Sequence, residues 1–281
     1  MTTIAELKAL LRSYGLSPRK SLGQNFLIDA LALRRIVDAA DLSPRDTVIE
    51  VGPGPGLLTR ELLARAGRVV AIEKDSGMAS LLRQEFASSS TLTIIEVDML
   101  AVSPEQVLPA PRGPYKVVAN LPYYVAAPIV RLFLEAMSKP RVMVVLLQRE
   151  VGESLAAGPG NMGLLAVAVQ YYAVPRLIGL IPAASFYPAP KVDSAIVRLD
   201  VREHPLVHVS PEEFFSVVKA GLGERRKQIA NPLARGLGMD KAVVMGALAE
   251  ASITPQRRAE SLTMEEWESL CRALARAKLG A

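Results

Sequence analysis

Five short runs rich in β-branched and aliphatic residues recur through the first half of the chain, and helix-length stretches separate them. The runs are Thr47–Val51, 68–75, 92–98, Tyr115–Asn120 and Val142–Gln148, with helical stretches at 57–66, 78–87 and 127–137 between them. This alternation admits few folds. Strand, helix and strand in succession build a mostly parallel sheet whose two faces are covered by helices. The expected class is therefore α/β. After Tyr172 the pattern changes: 176–180 and Ser194–Val201 read as two further strands joined by the proline-rich segment 182–191. A second change falls near residue 205. Ser210-Pro211-Glu212-Glu213 and Thr263-Met264-Glu265-Glu266 are helix-start signatures, the first with proline in the opening turn. Trp267, Leu270, Cys271 and Leu274 follow at helical spacing. The expected organisation is an α/β domain over residues 1–204 and a small all-helical domain over 205–281. A length of 281 residues has room for both.

Composition narrows the chemistry. Cys271 is the sole cysteine, so there is no intramolecular disulfide and no cysteine-rich zinc site, and a reducing cytoplasm fits best. His204 and His208 are too few for a multi-histidine metal centre. Apolar runs such as Val142–Gln148 fall far short of the roughly 20 residues of a membrane span. Residues 3–16 carry Glu6, Lys8 and Arg12 among apolar positions and read as an amphipathic helix rather than a signal peptide. The net charge of +5 is shared between the two parts and concentrates in Arg19-Lys20, Arg34-Arg35, Arg225-Arg226-Lys227 and Arg257-Arg258. Clustered cations are the footprint of a phosphate-backbone binder, although solvated helix faces produce the same pattern.

The first strand runs into Gly52-Pro53-Gly54-Pro55-Gly56 and then a helix. A glycine turn in that position is a nucleotide-type site at the carboxyl edge of the sheet. The spacing is G-x-G-x-G rather than the dinucleotide G-x-G-x-x-G, and two prolines remove N–H donors that a phosphate cradle needs. A ligand without phosphates, such as S-adenosylmethionine, suits the loop better. Glu73 ends the second strand and can accept from two ribose hydroxyls. Asp98 ends the third and can accept from an adenine amine. Asn120-Leu121-Pro122-Tyr123 follows the fourth strand. An adenine N6 amine is a poor nucleophile because its lone pair is delocalised into the ring. Two acceptors on its hydrogens, the Asn120 Oδ1 and the Leu121 carbonyl, favour a pyramidal nitrogen and aim the lone pair. Tyr123 offers a face on which the base can stack. Catalysis of this kind is mostly positioning.

Beyond these readings, Ser21-Leu22-Gly23-Gln24-Asn25-Phe26-Leu27-Ile28-Asp29, the glycine loop, Asn120-Leu121-Pro122-Tyr123 and Phe186-Tyr187-Pro188-Ala189-Pro190-Lys191-Val192-Asp193-Ser194 resemble the ribosomal RNA adenine dimethyltransferases. The similarity extends to 225–231 and 257–260 and so covers nearly the whole chain. It implies a Rossmann-like methyltransferase domain and a helical domain that together dimethylate N6 of two adjacent adenosines in the 3′-terminal hairpin of small-subunit rRNA. Cofactor contacts carry over to Asn25, Leu27, Gly52, Glu73, Asp98 and Asn120. Contacts to the target adenine carry over to Asn120, Leu121, Tyr123 and Phe186, with the base between the two rings. Arg225, Arg226, Lys227, Arg257 and Arg258 are the expected RNA contacts. The expected partner is small-subunit rRNA within a pre-small-subunit particle, met by a monomer with no metal and no membrane. Two stretches depart from the family's pattern. Tyr124-Val125-Ala126-Ala127 replaces small hydroxylated residues, and Ser154 and Asn161-Met162-Gly163 lack the usual cations and tyrosine.

Three other readings compete. A nicotinamide oxidoreductase is disfavoured by the loop spacing and by the absence of a catalytic histidine in the α/β part. A non-catalytic relative is disfavoured by intact Gly52, Glu73, Asp98 and Asn120. The large-subunit rRNA methylase of macrolide resistance is the nearest alternative. Gly23-Gln24-Asn25-Phe26-Leu27 together with Asn120-Leu121-Pro122-Tyr123 favours the small-subunit branch.

Overall fold

The structure is a computed structural model that describes residues 3–108, 113–224 and 226–279. Thr3 opens helix α1 (Ile4–Ser13) with a reciprocal capping box. Its hydroxyl accepts from the Glu6 N–H, and the Glu6 carboxylate accepts from the Thr3 N–H. Strand β1 (Phe26–Leu27) leads to Asp29, which caps α2 (Ala30–Ala39). Then come β2 (Thr47–Val51), α3 (Leu57–Leu63), β3 (Arg68–Glu73), α4 (Ser76–Glu85) and β4 (Leu92–Glu96). The short α5 (Pro104–Val107) precedes β5 (Tyr115–Asn120), α6 (Ala126–Glu135), β6 (Val142–Gln148) and α7 (Arg149–Leu155). After α8 (Leu164–Tyr172) the chain forms β7 (Ala173–Ile181), β8 (Phe186–Tyr187) and β9 (Ser194–Val201). The four remaining helices are α9 (Pro211–Leu222), α10 (Ala230–Leu237), α11 (Lys241–Glu250) and α12 (Met264–Leu279).

Seven strands form one sheet in the order β4-β3-β2-β5-β6-β9-β7. The β4-β3-β2-β5-β6 part is parallel, and β9 runs antiparallel to β6. Strand order reverses between β2 and β5, and a crevice opens there at the carboxyl ends of the strands. On one face Leu33, Ile36 and Val37 of α2 and Leu58 and Leu62 of α3 pack with Val48, Val69, Val118, Val144 and Ile196 of the sheet. Each such side chain contributes about 1.5–3 kcal/mol through burial. A separate two-stranded sheet pairs β1 with β8, placing Phe26 opposite Tyr187 and Leu27 opposite Phe186.

The chain divides into two compact units, Met1–Glu153 with Pro175–Val201, and Ser154–Val174 with Arg202–Ala281. The second unit therefore takes in α8, which a single boundary at residue 204 assigns to the first. The first six residues of α8 are all apolar (Leu164-Leu165-Ala166-Val167-Ala168-Val169), so its periodicity does not say which partner it covers. Its Tyr171 lies 5.0 Å from the Phe214 ring and 5.2 Å from the Phe215 ring, both in α9. Helices α9, α10 and α12 close around Trp267, which is fully buried. Gly221 makes room for its ring, since a Cβ there would stand 2.7 Å from the indole. Cys271 belongs to this core, where burial pushes its thiol up to about 12.

Candidate active site

The crevice is a cleft of about 810 Å³, the space open to solvent included. Four segments wall it: Leu22–Phe26, the glycine loop, the ends of β3 and β4, and the turn after β5. All three loop glycines have φ between +55° and +83°, a region open to glycine without strain. The loop's polar groups face inward. Gly52 N–H donates to the Ile72 carbonyl at 2.9 Å, Gly56 N–H to the Pro53 carbonyl at 3.0 Å, and Gly54 N–H to Glu73 Oε2 at 3.0 Å. Pro53 and Pro55 have no N–H. Every loop donor is thus committed within the protein, and none is left for a phosphate. The acceptors are abundant, so the loop fits a phosphate-free ligand rich in donors, as S-adenosylmethionine is.

Glu73 is buried, and its other oxygen accepts the Asp75 N–H at 2.8 Å. Burial pushes its carboxyl upward, and the two backbone donors oppose that push. Asp98 caps a short 3₁₀ turn, with Oδ1 accepting from Leu100 N–H at 3.0 Å and Oδ2 from Lys74 Nζ at 2.7 Å. The Lys74 ammonium, followed by the Leu100 N–H, holds the Asp98 carboxyl below its ordinary range. Asn120 ends β5, and its Nδ2 donates to the Asn25 carbonyl at 3.1 Å. A carbonyl can only accept, so this bond fixes the amide's orientation and leaves Oδ1 free of it. The Tyr123 hydroxyl shares a 2.6 Å hydrogen bond with the buried Ser194 Oγ at the start of β9. Burial raises the Tyr123 phenol, and the ring is held by its far end.

The structure brings Asn25, Gly52, Glu73, Asp98, Asn120, Leu121 and Tyr123 to one cleft. Two other expected residues lie elsewhere. Phe186 is 2% exposed and packs in the sheet core with Leu27, outside the cleft lining. The β1–β8 pairing explains this, because Leu27 and Phe186 face each other across it. Leu27 borders a smaller cavity behind the loop, which Asn120 also lines. Sequence reading passed over several supporting groups. Asp75 caps α4 and accepts from Gln24 Nε2 at 3.1 Å, with Arg19 3.4 Å away, which ties the N-terminal segment to the cleft. Glu50 lies beneath the loop, 1% exposed, and accepts the Thr59 hydroxyl at 2.6 Å. Burial, and then the like charge of Glu73, push it up to about 8 against that hydrogen bond. Ser194 was visible as the last residue of the motif that starts at Phe186, but its partner was not.

In the helical unit an isolated antiparallel bridge joins Gln228 to Arg258, and the Ile229 N–H donates to the Arg257 carbonyl at 2.8 Å. These bonds set Arg226 and Lys227 beside the second basic pair. Arg225 lies outside the described residues. Arg226 and Lys227 are exposed, and Arg258 stands 3.8 Å from Glu260. Arg257 differs. Its guanidinium makes a two-pronged contact with Glu266 and bonds the Ser261 carbonyl at 2.6 Å and the Ser261 Oγ at 3.2 Å. Its donors are used inside the unit. Among the described residues no cluster of His, Cys, Asp and Glu could hold a metal, and no helix is long and apolar enough to cross a membrane.

Residues 15–275 match the family described as ribosomal RNA adenine dimethylase. A ribosomal RNA small subunit methyltransferase A from Dehalococcoides mccartyi is 47% identical over 269 residues, covering 95% of this chain and 92% of that protein. The protein of the same name from Moorella thermoacetica is 44% identical over 276 residues, covering 95% and 96%. Among solved structures, the 23S rRNA methyltransferase ErmE superposes with a TM-score of 0.73 at 30% identity, over 89% of this chain and all of that one. A dimethyladenosine transferase from Plasmodium falciparum shares the fold with a TM-score of 0.77 at 22% identity, over 90% and 98%.

Proposed function

The chain belongs to the ribosomal RNA adenine dimethylase family, and from its cleft we propose how it dimethylates N6 of two adjacent adenosines in the 3′-terminal hairpin of small-subunit rRNA. It is an S-adenosylmethionine-dependent enzyme. The observation that carries the cofactor reading is the glycine loop, whose every N–H is committed internally while the cleft keeps acidic acceptors at Glu73 and Asp98. In this reading Asn25, Gly52, Glu73, Asp98 and Asn120 hold the cofactor, and Leu27 supports the segment that carries Asn25. When bound, the cofactor supplies an electrophilic methyl group.

The chain's own residues prepare the nucleophile. Asn120 Oδ1 and the Leu121 carbonyl accept the two N6 hydrogens, which draws electron density onto the nitrogen and turns its lone pair toward the methyl donor. The Asn25 carbonyl keeps Asn120 in that orientation. The base leaves its stack at a cost of a few kcal/mol, and stacking on Tyr123 returns ~1–3 kcal/mol. Phe186 packs in the core with Leu27, so this reading rests the stacking on Tyr123. No strong base is required, because the amine loses its proton after it has become cationic. The exposed Arg226, Lys227 and Arg258, with Arg225, are read as phosphate contacts, and Arg257 as the brace that sets them. The helical unit is then an RNA-binding domain. The substrate in this reading is a pre-small-subunit particle, met in the cytoplasm by a single copy of the chain.

The test is modification mapping. Unmethylated small and large subunits are incubated with the protein and S-adenosylmethionine, and dimethyladenosine is located by reverse transcription stops and mass spectrometry. Two adjacent dimethyladenosines in the small-subunit 3′ hairpin are expected. Modification of large-subunit rRNA instead would favour the activity named for ErmE. Asn120→Ala should abolish transfer with the fold intact, and near-normal turnover in it would remove the proposed acceptor site.

A further inference from the structure

Lys74 is a cleft residue that the reaction as derived above does not use. It follows Glu73 at the end of β3, and its ammonium reaches across to Asp98 at the end of β4. The two strands are parallel with Glu73 opposite Glu96, so residues 74 and 98 leave adjacent strand ends. We propose that Lys74 is a positioning residue that fixes the aim of the Asp98 carboxylate toward the cofactor's adenine amine. The proposal rests on the reading of Asp98 as the adenine contact.

The geometry gives the reason. A carboxylate held by one donor can present either oxygen to it and can rock about its Cβ–Cγ bond. Asp98 has two donors from different directions, the Leu100 N–H on Oδ1 and Lys74 Nζ on Oδ2. Together they distinguish the oxygens and set the carboxylate plane. Each oxygen keeps a second lone pair, so the ammonium does not use up the acceptor that an exocyclic amine needs. Charge-assisted bonds of this kind are about twice as strong as neutral ones. The pair is half-exposed, with side chains 54% and 36% accessible, and contributes little to stability there. A ligand over it removes water and strengthens it.

The other charged groups nearby are otherwise engaged. Glu73 accepts from the Gly54 and Asp75 N–H groups, and Glu96 pairs with Arg83 at 3.0 Å. Tyr123 bonds Ser194, and the Tyr124 side chain is a further neighbour of Lys74. Among the described residues Lys74 is the one cation that lines the cleft. Its first-ranked influence on Asp98 is to keep the carboxyl ionised to lower pH. Loss of the ammonium should therefore move the acid limit of binding upward.

Calorimetry reads this with two probes, S-adenosylhomocysteine and S-inosylhomocysteine, whose purine lacks the exocyclic amine. The proteins are wild type, Lys74→Met, Lys74→Arg, Asp98→Asn and the Lys74→Met/Asp98→Asn double variant. Lys74→Met should weaken the adenine ligand by roughly threefold to tenfold and barely change the inosine ligand. Lys74→Arg should restore much of the loss. The double variant should bind no more weakly than Asp98→Asn alone. Without any ligand, carboxyl-carbon NMR titration should show Asp98 protonating at higher pH in Lys74→Met. Unchanged or tighter binding in Lys74→Met, an equal loss for both ligands, or an unmoved Asp98 titration would overturn the proposal. If Asp98→Asn itself binds the adenine ligand as wild type does, the adenine contact fails and not merely its positioning.

Discussion

Glutamine at position 50 should make the folded protein less sensitive to pH. Glu50 sits under the glycine loop, 1% exposed, with the Thr59 hydroxyl as its hydrogen-bond donor. Its carboxyl is pushed from an ordinary 4.5 up to about 8. The unfolded chain therefore releases this proton near pH 4.5, and the folded chain holds it until about pH 8. Below the lower value both states are protonated and the group is neutral toward stability. Between the two values each pH unit favours the unfolded state by about 1.4 kcal/mol. The loss across the window is at most on the order of 5 kcal/mol, and it stops growing above the higher value. Glutamine has the shape of the neutral acid, keeps an acceptor for Thr59 and cannot ionise. Urea unfolding of the ligand-free protein at pH 5.5, 6.5 and 7.5 should show a falling stability in wild type that is flattened by about 1 kcal/mol or more per unit in Glu50→Gln. Glu73 is raised as well and contributes to the slope in both proteins, so the difference reads Glu50 together with its coupling to Glu73. Asp46, Asp98, Asp200 and Glu266 are lowered, and their stabilisation is lost only on acidification below the window. Parallel pH profiles for the two proteins would refute the account of a neutral buried acid.

Other substitutions probe separate parts of the cleft and the helical unit. Tyr123→Phe leaves the Ser194 hydroxyl buried without its partner and should cost about 1–3 kcal/mol of stability by urea titration. Methyl transfer should survive better in it than in Tyr123→Ala, which has no ring to stack on. Gly54→Ala should lose S-adenosylhomocysteine binding in calorimetry. Residue 54 has φ +55°, and its new Cβ would stand 2.8 Å from the Phe26 ring, so the loop must move. Arg257→Ala should destabilise the protein by about 1–3 kcal/mol, because it strips the Ser261 carbonyl of this donor and leaves Glu266 only the Thr263 N–H. Arg226→Ala/Lys227→Ala should leave stability unchanged and lower the salt slope of rRNA affinity by about 1.4–1.8, at ~0.7–0.9 per phosphate contact. An unchanged slope would return those cations to an ordinary solvated face.

The parallel sheet was legible because its strands are continuous apolar runs at helix-length intervals, and the cleft acids were legible because they end such runs. Asn120 was legible from the chemistry of its tetrapeptide. Phe186 shows where this reading stops. Its strand is two residues long, and nothing in two residues tells which side faces the core. The answer lies in the pairing with Leu27, far away in sequence. Arg257 and Arg258 are adjacent and look alike, yet one is buckled to Glu266 and the other is exposed. That difference depends on how the last helix packs. Helix α8 escaped because its apolar opening run has no solvent face to orient it. Lys74 carries no signal in the sequence, because its partner Asp98 comes from the neighbouring strand end.

The pairing of β1 with β8 also orders events during synthesis. Residues 22–26 wall the cleft and are made well before β8, since Phe26 and Phe186 lie 186 − 26 = 160 positions apart. The strand that follows this segment, Phe26–Leu27, pairs with Phe186–Tyr187, and the neighbouring Ile28 N–H donates to the Ser185 carbonyl at 2.9 Å while Asp29 accepts from the Ser185 hydroxyl at 3.0 Å. At ~5–20 residues per second, the earliest segment waits on the order of ten seconds or more for its partner. A nascent chain that ends before residue 185 can carry the glycine loop, Glu73, Asp98 and Asn120 and still lack the strand pairing that seats Asn25. A growing chain is thus expected to lack one wall of its cleft until β8 has been made, and ligand capture to follow that pairing.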